Sequence, residues 1–140
     1  MRLLLLPFSW IYGFFVVLRN KLFDLGVLRA ESFGIPVITV GNLSVGGTGK
    51  SPLVMHLADA LAGDFRIAVL SRGYGRKTRG FVLADSQTTA VTVGDEPLQY
   101  YRQLTDVKVA VCEKRAEGIR NLLHLFPDIN LIILDDAYQH

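Results

Sequence analysis

Two short stretches of this chain carry residue types spaced for phosphate chemistry. The first is Ser44-Val45-Gly46-Gly47-Thr48-Gly49-Lys50-Ser51. Its glycines let backbone N–H groups curl around phosphate oxygens without Cβ clashes. A helix starting near Gly49 points the positive end of its dipole at the same anion. Lys50 can reach the β- and γ-phosphates of a nucleotide, and the Ser51 hydroxyl can ligate Mg²⁺. The strict pattern has Gly where Ser44 stands, and a Ser at negative φ takes the same turn. The second stretch is Leu131-Ile132-Ile133-Leu134-Asp135-Asp136, the Walker B pattern of four apolar residues ending in acid. An acid at such a strand tip holds Mg²⁺ directly or through water. A glycine-rich turn that binds nothing is the plain alternative for the first stretch, and the second stretch argues against it.

The elements that must position these groups read as alternating strands and helices. Ile35 to Val40 is a β-branched run that reads as a buried strand, and Pro52 to Leu61 reads as the helix after the loop. Arg66 to Leu70 is a second buried strand. It leads into Ser71-Arg72-Gly73-Tyr74-Gly75-Arg76-Lys77, a basic loop punctuated by glycine. At the carboxyl end of a parallel strand this loop lies on the ligand side of an open sheet. There Arg72, Arg76, Lys77 and Arg79 can meet an anionic substrate, or simply form a solvated loop. Phe81 to Ala84 and Ala90 to Val93 read as short strands of a hairpin arm. Gly94-Asp95-Glu96-Pro97 opens a helix, with Pro97 in its first turn, and spacing alone makes Asp95 an N-cap. Lys108 to Cys112 is a strand, Glu113 to Leu125 a helix, and Asn130 to Leu134 the last strand. The order predicts an α/β fold: a P-loop NTPase-like, doubly wound, mostly parallel sheet.

The 140 residues amount to one domain, and half are apolar, enough for a sizeable core. The net charge of +2 comes without a long Lys/Arg run or aromatic–basic interleaving, so nothing points to nucleic acid. Cys112 is the single cysteine, which excludes an internal disulfide and a cysteine-based metal site. His56 and His124 have no partner by sequence. The most apolar run is Leu3 to Leu18, with Arg2 before it and Arg19 and Lys21 after it. It is short for a transmembrane helix and lacks a small-residue cleavage site. Its aromatics Trp10, Tyr12, Phe14 and Phe15 and its flanking cations suit a helix lying on a membrane surface. A core helix packed on the sheet is the alternative. Residues 1–30 therefore read as a membrane-contacting region and 31–140 as a P-loop core.

Four blocks together resemble one family, the tetraacyldisaccharide 4′-kinases that act on lipid A precursors. They are Val40 to Pro52, Leu70 to Arg76, Val93 to Pro97 and Leu134 to His140, and the apolar N-terminal helix is also similar. The resemblance implies transfer of the γ-phosphate of ATP to the 4′-hydroxyl of a tetraacyldisaccharide 1-phosphate. The expected place is the cytoplasmic face of the bacterial inner membrane, as a peripheral protein. It implies that Ser44, Val45, Gly46, Gly47, Thr48, Gly49, Lys50 and Ser51 hold the ATP phosphates. Ser51, Asp135, Asp136 and Gln139 would serve Mg²⁺. Asp95 resembles the base that accepts the sugar hydroxyl proton. Lys50 and Arg115 resemble the cations that stabilise the transferring phosphoryl group, and Arg72 and Tyr74 resemble substrate-side residues.

The sequence departs from the family pattern in three places. Ser51 stands where the family commonly has Thr, and Ala137-Tyr138 replaces Gly-Phe. The chain stops at His140, whereas the family continues for a similar length, with a histidine expected to support the base. A fragment is thus expected to bind phosphate weakly and turn over little. The competing reading is a membrane-associated P-loop ATPase switch. Gly46 to Ser51 resembles the deviant loop of that class, but Val45 stands where those proteins place a signature lysine. An inactive half-domain is a third reading.

Overall fold

In the computed structural model, which describes residues 13, 17, 21, 32–41 and 49–135, apolar runs rich in Val and Ile pair into one sheet. Its strands are β1 (Val37–Val40), β2 (Ile67–Ser71), β3 (Val82–Leu83), β4 (Lys108–Val111) and β5 (Leu131–Asp135). Their spatial order is β1-β5-β2-β4-β3. The first four run parallel, and β3 pairs antiparallel with β4 at one edge. The described helices are α1 (Lys50–Leu61), α2 (Ala90–Val93), α3 (Asp95–Gln103) and α4 (Arg115–Leu125).

Strand side chains alternate between two faces, and each face meets different helices. Ile67 and Val69 of β2 pack with Val54 and Ala58 of α1 and Tyr100 of α3. Ala68 and Leu70 point the other way, toward Ile119 and Leu122 of α4. Covered on both faces, β2 and β5 are buried along their whole lengths, which is why they read as continuous apolar runs. Contrary to the buried strand expected there, β1 is only half-buried, because it lies at the outer side of the described sheet. Helix α4 lies close to the sheet at Gly118, where a Cβ would stand 2.7 Å from Leu70 Cδ2 and 3.0 Å from Cys112 Cβ.

Two local expectations fail for identifiable reasons. Ala90 to Val93 is a short helix and not a strand. Thr89 and Thr92 form a reciprocal capping box, the Thr92 hydroxyl oxygen accepting the Thr89 N–H at 3.0 Å. The Val91 carbonyl then accepts the Lys77 N–H, so these β-branched residues have no free edge for strand pairing. Asp95 is not an N-cap. Gly94, at φ 96° and ψ 164°, holds the cap position, and Asp95 is the first residue of α3.

The chain divides into two compact units, residues 1–32 and 33–140. In the first, Gly13, Val17 and Lys21 are helical and exposed, and their spacing places them on one helix face. Most of the apolar run Leu3 to Leu18 lies outside the described residues. Among the described residues no helix is long and apolar enough to cross a membrane.

Candidate active site

Parallel pairing brings the carboxyl ends of β1, β5, β2 and β4 to one edge of the sheet. The register sets Val40 opposite Asp135, Leu134 opposite Leu70, and Ser71 opposite Val111. Asp135 and Ser71 thereby become neighbours although 64 residues separate them. Gly49 caps α1 in the left-handed region (φ 75°), and it offers no capping side chain. Gly49 thus gives the first turn of α1 no side-chain cap, and a helix start of this kind suits an anion. Lys50 and Ser51, the first two residues of α1, are both half-buried.

Asp135 is completely buried. Its Oδ2 accepts hydrogen bonds from the Tyr100 hydroxyl at 3.1 Å and the Ser71 hydroxyl at 3.3 Å. Among the described residues its Oδ1 has no hydrogen-bond partner. Burial, reinforced by repulsion from Glu96, pushes the carboxyl above its usual range; Tyr100, Lys50 and Ser71 pull partly back. Burial likewise raises the Tyr100 phenol. The Ser51 hydroxyl donates to Glu96 Oε1 at 2.7 Å and lies against the Tyr100 phenol. The Ser51 hydroxyl and the buried Asp135 carboxylate, which both touch the Tyr100 phenol, are hard oxygen donors of the kind Mg²⁺ selects. Among the described residues no group of three or more His, Cys, Asp or Glu side chains could hold a metal by itself.

Helix α3 also reaches this point. Asp95 is exposed at its first position. Glu96 and Tyr100 are four residues apart on one face and reach Ser51 and Asp135. Arg115, at the start of α4, donates to the Cys112 carbonyl at 2.8 Å and the Asp135 carbonyl at 3.4 Å. Its guanidinium therefore spans the ends of β4 and β5. The loop after β2 packs against the start of α3 through glycines. A Cβ on Gly94 would stand 2.7 Å from the Tyr74 carbonyl oxygen, and one on Gly73 would stand 2.8 Å from that of Val93. Arg72 and Tyr74 are exposed beside this contact, Tyr74 at 88%.

Arg76 departs from the substrate-facing role expected of it. Its side chain is 3% exposed, pairs with Glu113 at 2.6 Å, and donates to the Gly80 carbonyl at 2.7 Å. It fastens the loop to the turn after β4. Burial works against the Glu113 charge, but hydrogen bonds from its own N–H, Arg76 and the Gly80 N–H prevail and hold the carboxyl below its usual range.

The structure thus brings Lys50, Ser51, Asp95, Arg115 and Asp135 to one edge of the sheet, with Arg72 and Tyr74 on the adjoining loop. Ser44, Val45, Gly46, Gly47, Thr48, Asp136 and Gln139 lie outside the described residues. Sequence reasoning assigned no role to Glu96, Tyr100 or Ser71. The available signal was the four-residue step from Glu96 to Tyr100 along an expected helix.

Residues 1–140 match the family model described as tetraacyldisaccharide-1-P 4′-kinase. The chain is 54% identical over 137 residues to the tetraacyldisaccharide 4′-kinase of Bacteroides thetaiotaomicron, covering 97% of this chain and 36% of that protein. With the corresponding kinase of Flavobacterium johnsoniae it shares 51% identity over 140 residues, 100% of this chain and 41% of the relative. The crystal structure of LpxK from Aquifex aeolicus in complex with ATP is similar at a TM-score of 0.78 and 41% identity. That match covers 97% of this chain and 44% of the other. The chain spans less than half the length of each of these proteins. A family model matched from end to end and relatives more than half identical lead to one conclusion: the chain belongs to the tetraacyldisaccharide-1-P 4′-kinase family.

Proposed function

We propose that this chain is the nucleotide-binding part of a kinase that moves the γ-phosphate of ATP to the 4′-hydroxyl of a tetraacyldisaccharide 1-phosphate. The observation that carries the reading is the meeting of Lys50-Ser51 at the start of α1 with Asp135 at the tip of the neighbouring strand. The fold is then the P-loop NTPase-like, doubly wound form, and Ser44 to Ser51 cradle the phosphates. Ser51 and Asp135, with Asp136 and Gln139, would hold Mg²⁺, which would supply positive charge against the phosphates. Asp95 accepts the proton of the 4′-hydroxyl as the bond from that oxygen to the γ-phosphorus forms and the bond to the β,γ-bridging oxygen breaks. Lys50 and Arg115 meet the charge that spreads over the transferring group. Arg72 and Tyr74 face the acceptor. The N-terminal apolar run lies on the membrane, which brings the core to a lipid substrate at the cytoplasmic face of the inner membrane.

The test is transfer of labelled phosphate from ATP to a tetraacyldisaccharide 1-phosphate in detergent. The chain is assayed alone and joined to the carboxyl-terminal remainder of the Bacteroides thetaiotaomicron relative, each with an Asp95→Ala control. Transfer that disappears with Asp95→Ala supports the reading. Hydrolysis of ATP on lipid vesicles with no transfer in either form overturns it in favour of an ATPase switch.

A further inference from the structure

We infer that Tyr100 is a positioning residue that aims the carboxylate of Asp135, by holding Oδ2 so that Oδ1 is presented to a metal. The inference rests on the nucleotide-binding reading above and assigns the sixth residue of α3 a part in it.

The terminal torsion of an aspartate is broad and two-fold, so a carboxylate held by nothing samples many orientations. Asp135 is fixed from two directions. Tyr100 approaches from α3 and Ser71 from the end of β2, and both hydroxyls donate to the same oxygen. Asp135 and Tyr100 are fully buried and Ser71 nearly so, so water does not compete for these bonds. The second oxygen is buried as well and is left without a partner among the described residues. A site built only for stability would satisfy both oxygens, because an unmatched buried acceptor is destabilising. Among the described residues the hydrogen bonds are concentrated on one oxygen and none reaches the other. Outer partners of this kind orient metal ligands, and their removal lowers metal affinity about 10–100-fold. Tyr100 also lies against the Ser51 hydroxyl, so one phenol touches two of the groups expected at the metal.

The experiment compares ATP binding by calorimetry in excess Mg²⁺ and in EDTA, for the chain and for Tyr100→Phe. Phe keeps the ring in its packing and removes only the hydroxyl. The expected result is a loss of about tenfold in the affinity measured with Mg²⁺, near the low end because Ser71 still holds Oδ2. The affinity in EDTA stays within about twofold, a split that general loosening of α3 does not produce. Ser71→Ala is the second variant, expected to move the same ratio in the same direction, and it decides the matter if Tyr100→Phe fails to fold. A ratio unchanged in both variants, or equal losses with and without Mg²⁺, overturns the role of Tyr100. A parent chain whose ATP affinity ignores Mg²⁺ overturns the nucleotide-binding reading itself and the inference with it.

Discussion

Replacing Asp135 by Asn should make the unliganded protein more stable and the liganded protein less so. Asp135 is fully buried, and its Oδ1 has no hydrogen-bond partner among the described residues. Burial and Glu96 raise its carboxyl above the usual range, so the fold favours the neutral form. An unmatched buried acceptor costs about 1–3 kcal/mol, and more when charged. In Asp135→Asn the amide oxygen can keep the bonds from Tyr100 and Ser71, and the neutral NH₂ replaces the orphaned anionic oxygen. A gain of about 1 kcal/mol is expected, which raises Tm by roughly 4 °C for a domain of this size. The sign with pH follows from the direction of the shift. Because the folded pKa is raised, the penalty in the parent is absent below the ordinary aspartate range and complete above the raised pKa. The advantage of Asn should therefore be larger at pH 7.5 than at pH 4, fading on acidification. Saturating MgATP reverses the order, since a ligand at a hundredfold its Kd stabilises by about 2.7 kcal/mol and the variant loses much of that binding. The assay is thermal unfolding followed by circular dichroism at pH 7.5 and pH 4, with and without MgATP. An Asn variant that melts several degrees below the parent at pH 7.5 without nucleotide would refute the reasoning, because the Asp135 charge would then be compensated within the protein.

Further substitutions probe the elements that hold the site. Gly94→Ala places a Cβ 2.7 Å from the Tyr74 carbonyl oxygen at a φ of 96°, and the strain of about 1–3 kcal/mol should appear in urea unfolding. Arg76→Ala removes a nearly buried guanidinium bonded to Glu113 and Gly80; a loss of about 1.5–3 kcal/mol is expected by the same measurement. The parent should also lose the Glu113 contribution as pH falls from the ordinary glutamate range through the lowered pKa, and Arg76→Ala should flatten that acid limb. Gly118→Ala gains about 1 kcal/mol of helix propensity but drives a methyl into Leu70 at about 1–3 kcal/mol. It should be net destabilising, and less so beside Leu70→Val. Asp95→Asn should lower phosphate transfer about 10²–10⁴-fold in the assay above and leave ATP affinity unchanged, since its exposed side chain caps no helix.

What the sequence made legible were the parts whose chemistry is local. The glycine-flanked Lys50-Ser51 pair and the apolar run into Asp135 announce a helix start and a strand tip, and both are found there. Strand order was not legible, and it decides which side chains meet. Asp135 reaches Ser71 only because β5 inserts between β1 and β2. Arg76 looked like a substrate cation because its partner Glu113 lies after a strand whose place beside β2 the sequence does not fix. Residues 90–93 looked like a strand because Val and Thr favour one, yet a capping box and the Lys77 contact outweigh that preference. Tyr100 drew no reading from the sequence: its ring is helix core, and only the strand order brings its hydroxyl to Asp135.

Helix α3 ties these observations together. Its first residue is Asp95, its second is hydrogen-bonded to Ser51, and its sixth is hydrogen-bonded to Asp135. Its amino end is pressed through Gly94 against the loop carrying Arg72 and Tyr74. A helix of this length is stiff, so the proposed proton acceptor Asp95 and the two residues that bond the proposed metal ligands, Glu96 to Ser51 and Tyr100 to Asp135, are fixed to one short rod. Productive transfer demands placement within fractions of an ångström, and a loss of about a hundredfold follows from a 1 Å error. Residues on separate loops would each have to be ordered independently, at about 1–2 kcal/mol of backbone entropy apiece. Grouping them on α3 lets the packing of Tyr100 into the core supply that order once for both sides of the reaction.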